Sequence, residues 1–321
     1  TGVCDMGEVL LECRHLKKYF DVPNGVLHAV DDISFSLEKG KTLGVVGESG
    51  CGKSTLGRTI LRLLPHTSGE VIFEGKDILQ YSRGEMKELR KKMQIIFQDP
   101  FSSLNPRYTV FETIREPLKI HKMFKTQEET NQRVRELMEV VGLASRYENT
   151  YPNELDAALR LRNGIARALA LTPQFIVCDE PVSALDVSIQ AQVLNLMMDL
   201  KDSMGLTYMF ITHDLSVVKH ISDEIIVMYL GQIVEKARGD DIFAHPMHPY
   251  TKALLSAIPI PDIRYKGKEA ETIKGELSSP INPKPGCRFA PRCPRATEKC
   301  RMENPELKDM GDNHLVACHL Y

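Results

Sequence analysis

Gly47-Glu48-Ser49-Gly50-Cys51-Gly52-Lys53-Ser54 fits the pattern G-x-x-x-x-G-K-S/T, and few runs of eight residues restrict a fold so tightly. Before it, Thr42-Leu43-Gly44-Val45-Val46 reads as a short strand buried on both faces. After it, Leu56, Ile60, Leu61 and Leu64 recur at helical spacing. Strand, glycine-rich loop and helix therefore follow one another in the order a phosphate-binding loop needs. Glycines 47, 50 and 52 let the backbone turn tightly and aim N–H groups at an anion, at a helix end that already favours negative charge. Lys53 is placed to neutralise β- and γ-phosphate charge and Ser54 to ligate Mg²⁺, with Ser49, Cys51 and Thr55 completing the loop around a nucleoside triphosphate.

The same site needs an acidic partner. Phe175-Ile176-Val177-Cys178 has the unbroken hydrophobicity of an interior parallel strand, so Asp179 and Glu180 emerge at its C-terminal edge, where such sheets hold ligands. Asp179 suits the Mg²⁺ shell, and Glu180, one residue further on, can polarise an attacking water. An acidic pair alone is more often a solvated strand end; beside a phosphate loop it reads as catalytic.

Composition narrows the class. The 321 residues can bury a large core with an appendage. A net charge of −2 carries no polyanion signature, so nucleic acid is not an expected partner. No stretch reaches the roughly 18–20 apolar residues that span a bilayer, and the first residues lack a signal-peptide pattern. The expectation is a protein on the cytosolic side whose membrane role runs through partners. Of the eight cysteines, Cys51 lies in the loop and Cys178 in an interior strand, which argues against a secreted disulfide framework.

Along the chain, residues 9–46 alternate apolar runs with turn signals at Pro23-Asn24-Gly25 and Lys39-Gly40-Lys41, predicting antiparallel strands. A further strand is expected at 70–73, a helical region at about 101–160, a helix at 162–171 stopped by Thr172-Pro173, and strands at 175–178, 207–212 and 224–230. From about 236 the chain turns rich in Pro, Gly and charge. The expected division is a nucleotide-binding domain at 1–235 and an extension at 236–321. No repeat is visible, so one such domain is present.

The remaining motifs identify the kind of nucleotide-binding protein. Phe97-Gln98-Asp99-Pro100 resembles the Q-loop of ABC-transporter ATPases, Ser183-Ala184-Leu185-Asp186 their D-loop, and Ile211-Thr212-His213-Asp214 their switch histidine. The likeness covers about residues 9–235 and implies a P-loop NTPase (RecA-like) α/β core with an antiparallel β subdomain and a helical subdomain. It also implies ATP as substrate and Mg²⁺ as cofactor. Tyr19 lies where the family stacks an aromatic on adenine, a contact that contributes about 1–3 kcal/mol. Gln98 can touch Mg²⁺ or the attacking water and so report the γ-phosphate, while the His213 imidazole can donate to that phosphate and position water. Asp186, by resemblance, meets an opposing subunit.

One motif departs. The family carries Leu-Ser-Gly-Gly-Gln at a helix N-terminus, and this chain has Leu155-Asp156-Ala157-Ala158-Leu159 between conforming flanks. Asp156 would set a carboxylate against the γ-phosphate, the alanines add Cβ atoms where backbone approaches phosphate, and Leu159 removes an amide. Asp156 is also simply a good helix N-cap. Because the family sandwiches ATP between one subunit's loop and the other's signature, the resemblance implies a heterodimer with a second ABC ATPase subunit.

His245-Pro246-Met247-His248-Pro249-Tyr250 and the residues to Leu255 resemble the segment after the core in oligopeptide and dipeptide importers, including nickel-carrying relatives. This implies transmembrane permease subunits, an extracytoplasmic solute-binding protein, and a place at the cytoplasmic face of the membrane. Cys287, Cys293, Cys300 and Cys318 are spaced C-x5-C-x6-C-x17-C. Four thiolates could hold a small Cys-rich extension together on a 4Fe–4S cluster, which the tail's likeness to peptide-importer ATPases implies, or on zinc, although the close cysteine pair usual for zinc is missing. Reduced, unligated thiols are the third alternative. A soluble ABC ATPase without a transport role, and a nucleotide-binding structural subunit with little turnover, remain the competing functions.

Overall fold

The computed structural model describes residues 7–99, 103–257 and 279–321. Cys4, Pro100 and the start of the helical region at 101 lie outside the described residues. The chain divides into two units, one built from Thr1–Leu79 and Phe210–Tyr321 and the other from Gln80–Met209.

The first unit holds an antiparallel sheet in which Val9–Val22 lies between Gly25–Glu38 and Ser68–Phe73, with Lys76–Asp77 at the edge. The long hairpin closes with Val22 opposite Gly25, as the turn signal at 23–25 predicts. Leu11, Cys13, Leu16, Val30, Ile33 and Leu37 are all buried, so one face of the hairpin is core.

Thr42–Val46, buried at every residue, runs parallel to Glu224–Tyr229 in the same unit. Gln232–Arg238 then returns antiparallel, and the chain's end pairs onto it through Glu235 opposite Val316. The short strand Leu315–Val316 in turn pairs with Lys308–Asp309. The extension is thus stitched by main-chain hydrogen bonds to the strands beside the phosphate loop. An apolar cluster continues the join, with Val46, Val227, Tyr229, Tyr250 and Phe289 packed together; burying side chains of this size contributes about 1.5–3 kcal/mol each.

In the second unit Met93–Ile96 runs parallel to Phe175–Asp179. Its helices begin where side chains cap them. Ser82 with Glu85, Thr109 with Glu112 and Thr126 with Glu129 form reciprocal capping boxes ahead of Arg83–Lys92, Val110–Ile120 and Gln127–Val140. Val110, Ile114, Leu118, Val134, Leu137 and Leu161 are buried where the helices Val110–Ile120, Gln127–Val140 and Ala157–Leu169 pack on one another. The last of these starts five residues earlier than the expected 162, because Asp156 caps it. The helix Val187–Met204 completes the unit. No helix among the described residues is long and apolar enough to cross a membrane.

Candidate functional site

In the first unit the strand Thr42–Val46 delivers the chain into the loop, and the helix Lys53–Ile60 begins directly after Gly52. Gly52 is the N-cap at φ 104°, and no side chain caps this helix. Its N-cap residue therefore brings no carboxylate or hydroxyl to the helix end, an arrangement suited to an anion. Glycine is required at both ends. A Cβ on Gly47 would stand 2.2 Å from the Met228 carbonyl, and one on Gly52 would stand 1.9 Å from that of Ala29.

Lys53 is 4% exposed. Its Nζ donates to the carbonyls of Gly47 at 2.8 Å and Glu48 at 3.0 Å, so the ammonium arches back over the loop. Cys51 Sγ lies 3.9 Å from that Nζ, and burial pushes its thiol above the ordinary range. Ser49 and Gly50 are exposed at the tip, while Ser54 and Thr55 are half-buried in the first turn of the helix. Thr212 N–H donates to the Val45 carbonyl at 3.1 Å, which sets the exposed His213 at the strand edge from which the loop leaves.

Tyr19 is half-buried on the antiparallel sheet. Its ring stacks on His28 with centroids 3.9 Å apart, and its hydroxyl donates to Asp31. Burial, then the bond to Asp31, raises the phenol's pKa. Burial alone would raise the Asp31 carboxyl as well, but its bonds to Tyr19 and His28 and the charge of Arg288 outweigh that and hold it below the usual range.

In the second unit Asp179 ends its strand fully buried. Glu180 follows at φ 46°, a left-handed conformation that costs a glutamate roughly 1 kcal/mol or more and that concentrates at working sites. The turn holds it there: the Glu180 carbonyl accepts from Ser183 N–H at 3.3 Å and from its hydroxyl at 3.0 Å. Gln98 Nε2 donates to Glu180 Oε2 at 3.1 Å. That bond keeps the carboxylate oriented and leaves the amide oxygen of Gln98 as its acceptor end.

Asp156 is the N-cap of Ala157–Leu169, its carboxylate accepting from Leu159 N–H at 2.8 Å. Asp186 does the same for Val187–Met204, accepting from Ile189 N–H at 3.0 Å.

The metal expectation for Cys287, Cys293, Cys300 and Cys318 gains no support from the structure. Among the described residues no group of three or more His, Cys, Asp or Glu is disposed to hold a metal ion. The thiols are near enough to raise one another's pKa, but burial is the larger cause, and it pushes Cys287 up to about 11. Cys300 Sγ instead lies 3.3 Å from the Thr297 hydroxyl, and Cys287 N–H donates to the Cys300 carbonyl at 2.7 Å.

Two arginines beside the loop, Arg288 and Arg292, carried no sequence signal, and Tyr250 was legible only as part of the 245–255 segment. Arg292 forms a bidentate pair with Glu48 at 2.7 and 2.9 Å, and Tyr250 Oη accepts from Glu48 N–H at 2.9 Å. Arg288 bonds the Leu230 carbonyl and the Asp31 carboxylate. Only their spacing around Phe289, between Cys287 and Cys293, could have drawn attention to them.

The "ABC transporter" family model matches residues 30–183, and "Oligopeptide/dipeptide transporter, C-terminal region" matches residues 234–300. The chain is 51% identical over 323 residues to the oligopeptide transport ATP-binding protein AppF of Bacillus subtilis, covering 98% of both. It is 51% identical over 318 residues to the dipeptide transport ATP-binding protein DppF of Haemophilus influenzae, covering 96% of both. Among solved structures, the ATP-binding cassette MJ0796 bound to ADP and Pi superposes with a TM-score of 0.66 at 28% identity, over 71% of this chain and 98% of that one. The fold is accordingly that of an ABC ATPase. With both family models in chain order and full-length kinship at half identity, the chain belongs to the ATP-binding proteins of oligopeptide- and dipeptide-type ABC transporters and is an ABC-class ATPase.

Proposed function

We propose that this ATPase powers import of oligopeptides or dipeptides, held at the cytoplasmic face of the cell membrane by permease subunits and supplied by an extracytoplasmic solute-binding protein. The observation that carries this reading is the join between an uncapped phosphate-loop helix and an extension, matched over 234–300, whose Arg292 and Tyr250 hold the loop itself. Residues 1–235 act as the nucleotide-binding domain and 236–321 as the peptide-importer extension.

The roles follow from the chemistry of each side chain. Main-chain N–H groups from Gly50 to Thr55 bond the phosphate oxygens, Lys53 moves from its carbonyl partners to the β/γ charge, and Tyr19 stacks on the base. Ser54, Gln98 and Asp179 offer the hard oxygen donors that Mg²⁺ takes, and would hold it. Bound there, the ion neutralises charge on the phosphates. Glu180, oriented by Gln98, accepts the proton of the attacking water, and His213 donates toward the γ-phosphate. No step is routed through the C-terminal thiols.

The active unit is a heterodimer. Support comes from Asp156, whose carboxylate occupies the helix N-terminus that in an intact signature would face a partner's γ-phosphate. A second ATPase with an intact signature then completes the site built on this chain's Lys53, Asp179, Glu180 and His213.

The test is phosphate release by the reconstituted transporter with and without peptide. Peptide should stimulate release, and Glu180→Gln should abolish turnover at this chain's site while Mg-ATP still binds. Undiminished turnover at that site in Glu180→Gln would overturn the assignment of the base, and indifference to peptide would overturn the cargo class.

A further inference from the structure

Glu48 is the second residue of the phosphate loop, at a position where the motif admits any side chain, yet three groups hold it. Its carboxylate receives both terminal nitrogens of Arg292, at 2.7 and 2.9 Å. Its N–H donates to Tyr250 Oη at 2.9 Å, and its carbonyl accepts from Lys53 at 3.0 Å. The Arg292 side chain is 7% exposed and reaches Tyr229 Oη at 3.4 Å. Tyr229, Tyr250 and Phe289 meet as a ring cluster with centroids 4.8 to 5.4 Å apart, so the arginine stands on rigid packing. A bidentate guanidinium–carboxylate pair on such a base fixes direction as well as distance.

Four residues earlier, Arg288 makes the corresponding contact at the other end. Its side chain is 8% exposed and joins the Leu230 carbonyl to the Asp31 carboxylate. Asp31 in turn accepts from the Tyr19 hydroxyl and pairs with His28 Nδ1 at 3.1 Å, and the Tyr19 ring stacks on His28. One short stretch of the extension therefore grips both the aromatic end and the phosphate end of the nucleotide-binding surface.

We infer that Arg288 and Arg292 are positioning residues for the nucleotide: Arg292 presets the phosphate loop through Glu48, and Arg288 presets the base-stacking face through Asp31 and Tyr19. The inference rests on reading residues 47–55 as the ATP loop. Ordering these groups before binding lowers the entropy cost of binding. Because the two arginines act at different ends, their loss has different consequences for different nucleotides. Every nucleotide carries phosphates, but purines stack over a larger area than pyrimidines.

The experiment measures Kd for Mg-ADP and Mg-CDP, which cannot be hydrolysed at a γ-phosphate, by calorimetry on the assembled transporter. Arg292→Met should weaken both nucleotides by the same factor, about tenfold, within the usual range of coupling between two sites. The exchange Glu48→Arg with Arg292→Glu should recover most of that loss. Arg288→Met should weaken ADP more than CDP, narrowing their ratio about fivefold, as expected when a stacking face loses its support. Should Arg292→Met fail to fold, Arg292→Lys and Glu48→Gln keep the volume and should still weaken both nucleotides alike, about threefold. Wild-type affinities in the folded Arg292 and Glu48 variants, or an unchanged ADP to CDP ratio in Arg288→Met, would overturn the inference alone. Wild-type protein that binds neither nucleotide, or Lys53→Ala that binds both as well as wild type, would overturn the reading of the loop and the inference with it.

Discussion

Lowering the pH from 7.5 to 5 should loosen the extension through one residue, His248. It is 1% exposed, and its Nδ1 accepts from Tyr250 N–H at 3.1 Å, capping the helix Pro249–Ser256. Its own N–H donates to Glu235 at 2.9 Å, and Phe289 lies against the ring. An acceptor nitrogen must be unprotonated. Burial, helped by the charge of Lys252, accordingly lowers the pKa from 6.5 to about 3. Between those two values the unfolded chain binds a proton that the folded chain refuses, so the stabilisation is complete above about pH 6.5 and is lost as pH falls from there toward about 3. The slope approaches 1.4 kcal/mol per pH unit, which amounts to about 2 kcal/mol at pH 5. Asparagine at 248 keeps a capping oxygen and does not titrate. In urea unfolding, wild type should therefore lose about 2 kcal/mol more than His248→Asn between pH 7.5 and pH 5. Since Tyr250 follows on the same helix and touches Glu48, Mg-ADP affinity should fall over the same range in wild type only. Parallel stability curves for the two proteins would refute the reasoning.

Gly52→Ala places a Cβ 1.9 Å from the Ala29 carbonyl at φ 104°. It should cost roughly 1–3 kcal/mol in thermal unfolding and abolish nucleotide binding by calorimetry. Glu235, fully buried, accepts from Met247 N–H at 2.7 Å, from His248 N–H and from His314 Nε2 at 2.7 Å. Glu235→Gln should destabilise by about 3 kcal/mol in chemical unfolding, since it sets an amide N–H against donors and breaks a buried pair. Asp156→Ala should lose about 1 kcal/mol of helix cap, whereas Asp156→Ser should keep it. Adding Ala157→Gly and Ala158→Gly to Asp156→Ser should raise ATP turnover, read as phosphate release, by this chain assayed on its own.

The parts legible in the sequence are those where a local rule and the tertiary structure demand the same residues. Gly47, Gly52 and Lys53 are fixed by backbone geometry and charge within eight residues, and the interior strands at 42, 175 and 224 are unbroken apolar runs that no other element explains. The helix at 157 begins where Asp156, named as an N-cap from the sequence, stands, whereas the equally local capping boxes at Ser82, Thr109 and Thr126 were not read. What stayed hidden depends on distant pairing. Arg292 lies 244 residues from Glu48 and Arg288 lies 257 from Asp31, and neither arginine has a spacing or neighbour that names its partner. Met93–Ile96 was missed because its four residues, Met-Gln-Ile-Ile, carry no alternation and become a strand only against Phe175–Asp179.

The tail shows how a strong local pattern can draw attention from a weaker one. Four cysteines in a proline-rich segment argue for a metal that would hold it together, yet the segment has other means of support. Its end pairs with Gln232–Arg238, Phe289 enters the core of Tyr229 and Tyr250, and Asn282 bonds the backbone of Val26 at 2.9 Å. Each of these ties leads to the strands and loop that bind nucleotide. Arg292 and Arg288 of the extension are committed to the phosphate loop and the aromatic face. The arginines, through Glu48 and Asp31, are where the extension reaches the nucleotide site.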